Sequence, residues 1–251
     1  MEHSGREAII IPNTHNYEKR VAELPQDKKR LFGQALNAWT ETRTPNRREV
    51  DAMQRFLCTF FEYDGDALLR SYAESPESFP SHLYTFTPSV AALNSAYCHD
   101  YNYRGILYVD DPLSQEKVYV DAPFAFILSH KIGTRWSPIS VASFIPDFAN
   151  ERLLVDQLQG GDTHNYWFHK EIRNKARRAR MKFSISPEEM LFIAARRVGY
   201  ESGLSEIGLR KSMANRYYTQ VLRRKEPVYD RVANRQGLNG DESDMYHLAP
   251  L

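Results

Sequence analysis

The chain has 251 residues, 42% hydrophobic and 12% aromatic, enough to build a sizeable core in one large or two modest domains. Its formal net charge is +1, a total that excludes a uniformly basic nucleic-acid coat and an acidic solvating chain. That total hides a division. Residues 1–163 hold 16 basic and 22 acidic residues, a net of −6. Residues 164–235 hold 17 and 7, a net of +10, and residues 236–251 carry only 3 acids.

The N-terminus has early acids and a short apolar run, Ala8 to Ile11, so no signal peptide is expected. No stretch approaches the length of a membrane span. The two cysteines, Cys58 and Cys98, form no Cys-x-x-Cys pair and read as reduced, buried thiols. The expectation is a cytoplasmic protein with no membrane partner.

Residues 27–42 read as a helix, with Leu31, Ala35, Leu36 and Trp39 on one face. Thr44-Pro45 offers a cap and a first-turn proline for a second, striped by Val50, Met53, Leu57 and Phe60. Gly65 interrupts, and Asp66 to Tyr72 reads as a further short helix. Ile106–Val109 and Val118–Val120 then form a hairpin around the turn signal Asp110-Asp111-Pro112. Phe124–Leu128 and Ile139–Ile145 are further strand candidates, and Phe148–Leu158 reads as a helix. Gly160-Gly161-Asp162 is the best break in the chain.

His169–Lys182 reads as a basic helix with a narrow apolar stripe of Ile172, Ala176, Ala179 and Phe183. Ser186-Pro187-Glu188-Glu189 is a helix start, with Ser186 as cap, Glu189 closing a capping box, and Gly199 ending the helix. The last 16 residues read as a mobile acidic tail. The fold expected is α+β, with N-terminal helices and a small antiparallel sheet followed by a mainly helical basic region. The units are an acidic domain 1–163, a basic domain 164–235 and the tail 236–251.

Seven cations in the 13 positions 170–182 concentrate positive potential: Lys170, Arg173, Lys175, Arg177, Arg178, Arg180 and Lys182. Such a segment suits the dense phosphates of nucleic acid, where each contact releases counterions. Arg guanidinium groups bind phosphate through paired hydrogen bonds. Arg196, Arg197, Arg210, Lys211, Arg216, Arg223, Arg224 and Lys225 extend the surface, and Tyr217 and Tyr218 can stack on bases. The alternative is a surface that docks on acidic protein, including the −6 half of another copy.

The remaining polar clusters carry less chemistry. His164 and His169 are five apart, and Cys98-His99-Asp100 is contiguous, so neither has zinc-ligand spacing. Glu116 and Lys117 are neighbours on a strand and face opposite ways, which does not suit a carboxylate-metal nuclease. There is no Gly-rich phosphate loop and no Gly-x-Ser-x-Gly.

Three blocks, in order, carry a family resemblance. They are Lys175–Met190, the run Gly199-Tyr200-Glu201-Ser202-Gly203-Leu204, and Asp230-Arg231-Val232-Ala233 through Gly237. Together residues 170–240 resemble the C-terminal half of HNH endonucleases of phages and mobile elements. In that family the second block carries a zinc-binding Cys, here Gly199, and the third carries a second acid, here Ala233. Of the metal-site residues, the resemblance leaves Asp230 alone as a catalytic candidate. It implies a phage or mobile-element DNA-binding accessory protein whose cleavage site is lost. DNA stands ahead of RNA as partner, and Arg223, Arg224 and Arg231 add to the phosphate-binding patch. No cofactor or resident metal is expected, with Mg or Mn entering only if an HNH-like site is active.

Overall fold

The computed structural model describes residues 17–42, 45–91, 107–110, 117–160, 182–211, 228–240 and 244–248. The expected basic helix 169–181, the histidines of 164–169, Cys98-His99-Asp100 and the 212–227 cations lie outside them.

Four helices come first: α1 Tyr17–Glu23, α2 Gln26–Thr42, α3 Arg47–Glu62 and α4 Gly65–Ser71. The start of α3 differs from the expected Thr44-Pro45 cap. Asn46 is the cap; its side chain accepts from the Glu49 amide at 3.1 Å. The Glu49 carboxylate accepts from the Asn46 amide at 2.9 Å, which completes a capping box. Gly65 opens α4 rather than breaking the chain, with Asp64 capping the Ala67 amide at 2.9 Å. A Cβ there would meet the Phe86 ring at 2.2 Å, so this contact requires glycine.

Strands follow: β1 Tyr84–Val90, β2 Leu107–Asp110, β3 Lys117–Val120, β4 Phe124–Ile132, β5 Arg135–Asp147 and β6 Arg152–Gly160. Then come α5 Pro187–Glu201, β7 Glu206–Arg210, α6 Val228–Gln236, β8 Asn239–Gly240 and β9 Met245–Leu248. The hairpin β2–β3 forms as expected, and its register sets Val109 opposite Val118.

The other seven strands make one mixed sheet, ordered β1-β4-β5-β6-β7-β9-β8. The sheet is therefore larger than expected, and the chain beyond Gly160 supplies three of its strands as well as helices. Within the stretch expected to be a mobile tail, Asn239–Gly240 and Met245–Leu248 are strands. All neighbouring pairs are antiparallel except β6 with β7.

The period-2 alternation of β4 explains the layering. Phe124, Phe126 and Leu128 point into the main core with the helices, while Ala125 and Ile127 join Val109, Val120 and Val141 under the β2–β3 hairpin. Phe56 and Phe60 of α3 lie on Phe124, Phe126 and Phe144, with centroid separations down to 4.9 Å. Offset and edge contacts of this kind add to the area each ring buries.

The α5 helix is buried nearly all round, from Pro187 through Ala195 and again at Val198 and Gly199. Ser186 caps it as expected, accepting from the Glu189 amide at 3.2 Å. The Glu189 carboxylate turns to α6, accepting from Arg235 at 3.1 Å and Gln236 at 2.9 Å. Gly199 does not end the helix, which runs to Glu201; Gly203, at φ +85°, takes the left-handed turn. Gly199 instead permits close packing, because a Cβ there would meet Ile207 at 2.7 Å.

The expected helix over Phe148–Leu158 is a correction. Asp147 accepts from the Asn150 amide at 3.3 Å and closes a single turn, Phe148–Asn150. Glu151, at φ +50°, reverses the chain, and Arg152–Gly160 is strand β6. The apolar spacing misled because β6 carries a bulge. Ser143 pairs with Gln157 and Phe144 with Val155, so Asp156 is an extra residue. Leu153 and Val155 face the main core, and after the bulge Leu158 does too. The parity shift makes a strand read like a helix.

Candidate functional site

The parallel pair β6–β7 is joined through α5, and the chain between Gly160 and Pro187 contains the 170–182 cations. Its four rungs run from Arg152–Glu206 to Val155–Leu209. Pairing stops at the bulge. Beyond it, Gln157–Gly160 stay paired to β5, from Ser143–Gln157 to Ser140–Gly160. Among the described residues no strand pairs with the β7 side of 156–160.

Two charged residues meet just past the last rung. Arg210, the last residue of β7, donates to the Asp156 carboxylate at 2.9 and 2.6 Å. Burial pushes the Asp156 carboxyl above its ordinary range, against the pull of Arg210, and nearby Asp121 pushes the same way. Burial also works against the Arg210 charge, but Asp156 more than compensates and holds it protonated.

A buried polar network continues from the bulge. Ser143 Oγ accepts from the amides of Asp121 at 3.2 Å and Ala122 at 3.1 Å, and donates to Gln157 Oε1 at 3.0 Å. Gln157 Nε2 donates to Gln159 Oε1 at 2.9 Å. This chain fixes β6 on the side it shares with β5.

On the far side of β7, Lys211 lies over the Tyr246 ring at 5.5 Å. The Tyr246 hydroxyl donates to Asp230 at 2.9 Å. Burial, then Asp230 itself, push this phenol up to about 12. His247 Nδ1 pairs with the Glu206 carboxylate.

Of the sequence-derived candidates, Lys170, Arg173, Lys175, Arg177, Arg178, Arg180, Arg223 and Arg224 lie outside the described residues. Lys182 is exposed beside Phe183, and its carbonyl accepts from the Glu74 amide at 2.9 Å. Arg231 is half-buried on α6, one residue after Asp230. Arg210 belongs to the Asp156 ion pair, and Arg196 donates to Gln236 at 3.2 Å. Sequence reasoning missed Asp156. Its signal was an acid inside the apolar run Leu153-Leu154-Val155 to Leu158, which demands a partner once the run is buried. Cys58 is buried and its thiol is pushed up to about 11 by burial, as befits a packing role. Among the described residues no cluster of three His, Cys, Asp or Glu could hold a metal, and no helix is long and apolar enough to cross a membrane.

No protein-family model matches the chain, and no curated protein matches it. Among solved structures, the crystal structure of nourseothricin acetyltransferase is similar at 13% identity, covering 74% of this chain and 92% of that one, with a TM-score of 0.26.

Proposed function

We propose that the protein binds a phosphate-bearing ligand where the basic crossover leaves the carboxyl end of β6, and that it acts as a nucleic-acid-binding accessory protein. One observation carries the reading. The densest cationic stretch, seven charges in 170–182, belongs to the connection of the parallel β6–β7 pair. Ligands of open α/β sheets gather outside the carboxyl ends of parallel strands. A cationic connection starting there suits phosphate oxygens, and Arg223, Arg224 and Arg231 add charge from the segment after β7. Binding to duplex and single-stranded DNA and RNA, measured across salt concentrations, tests it. The expected result is steep salt dependence that weakens in R177A/R178A/R180A; no binding at low salt removes the reading. Magnesium or manganese in the same mixtures reports cleavage, and Asp230→Ala reports whether the HNH-like residue contributes. Salt-sensitive oligomers in light scattering would favour the assembly role, in which charge-complementary halves meet.

A further inference from the structure

We infer that His130 is a pH-sensitive latch: when neutral it holds the re-entry point of the basic crossover against α4 and β1, and when protonated it loosens it. The re-entry point is Lys182–Ser184. Glu74 donates to the Lys182 carbonyl at 2.9 Å, Ser184 donates to the Tyr72 carbonyl at 2.8 Å, and Phe183 bridges to Ala73. Phe183 is buried against Phe79 and Tyr84, at 5.7 and 5.2 Å between centroids. His130, opposite Tyr84 in the β1–β4 register, lies on the same tyrosine at 4.8 Å. The latch thus runs from His130 through Tyr84 to Phe183.

Its Nδ1 is buried and has no hydrogen-bond partner. A neutral ring tolerates this by keeping its proton on Nε2. An imidazolium must place a second N–H on Nδ1, where nothing accepts it. Burial alone shifts the ring below its ordinary range. The other titratable or charged groups on the elements packed there are Tyr84 of β1, His82 of the turn before it, Lys131 of β4, Arg135 and Asp147 of β5, and Glu188, Glu189, Arg196, Arg197, Tyr200 and Glu201 of α5. Lys131 lies over Trp136, and Asp147, at the far end of β5, is paired with Arg152. On α5, Glu189 is paired with Arg235. Protonation is therefore relieved by moving the ring out, which removes the support under Tyr84.

The inference does not depend on the ligand. Hydrogen exchange of the full chain between pH 5 and 8, corrected for intrinsic rates, tests it at the amides of Glu74 and Ser184. Their opening should increase up to about tenfold per pH unit below about 6.5. His130→Phe, which keeps a ring but cannot titrate, should flatten that dependence; His130→Gln serves if the phenylalanine does not fit. A flat wild-type profile, an unchanged slope in the variant, or equal loosening of the β4–β5 amides would overturn it.

Discussion

Asp156 and Arg210 meet one step beyond the last rung of the β6–β7 pair, with Arg210 Nη2 2.6 Å from the carboxylate. Asp156 is also the bulge residue that interrupts the ladder with β5. One residue thus changes the strand's phase, and its side chain holds the end of the neighbouring strand. Bulges commonly sit where pairing terminates or a side chain is re-aimed.

Arg210→Ala should therefore cost more than a surface ion pair. It leaves a carboxylate buried without its cation, worth about 3 kcal/mol by urea denaturation at neutral pH. Burial already raises the Asp156 carboxyl, and losing Arg210 raises it further. The folded state then binds the proton more tightly than the unfolded one, so the contribution of this carboxyl to stability is greatest in acid and falls as pH rises through the folded value. Its deficit against the parent should be smaller at pH 4 than at pH 7, and Asp156→Asn in the same background should recover part of it.

Asp147 has the opposite sign. Burial opposes its charge, but Asn150 and Arg152 overcome that and hold the carboxyl below its ordinary value. The carboxylate donates nothing; it accepts from Asn150 Nδ2 at 2.8 Å and Arg152 Nε at 2.9 Å. Its stabilisation is present above the unfolded value near 4 and is lost as pH falls through the folded one. Asp147→Ala should cost about 2 kcal/mol at pH 7, with the difference shrinking in acid denaturation curves.

Gly199→Ala should destabilise although alanine favours helix. The new methyl meets Ile207 Cδ1 at 2.7 Å and Leu153 Cβ at 3.3 Å. Overpacking of this kind costs about 1–3 kcal/mol, more than the helix propensity gained. Ile207→Val removes the nearest methyl, so G199A/I207V should be more stable in thermal melts than the sum of the single changes allows.

Removing Arg177, Arg178 and Arg180 together should lower the slope of log binding constant against log salt by about 2–3 on duplex DNA, near one per lost phosphate contact. An unchanged slope would show that other cations carry the contacts.

Local rules placed much of this fold. The stripe of α2, the Ser186-Pro187 start of α5 and the branched residues of β2 and β3 each specify their element from neighbours alone. What escaped depends on distant partners. Strand β6 breaks its own period at Asp156, so neither the helical nor the strand template fits it. Strands β8 and β9 are 2 and 4 residues long; β9 takes shape on the edge of β7, and β8 on β9. The site follows the same rule: the 170–182 cations are plain in the sequence, but their place in the connection of a parallel pair follows only from the pairing of β6 with β7.

The bulge decides what fills the core. In an unbulged strand of this sequence, Gln157 would follow Leu153 and Val155 onto the core face and Leu158 would leave it. By absorbing Asp156, the strand keeps Leu158 in the apolar layer and leaves Gln157 to meet Ser143 on the other side.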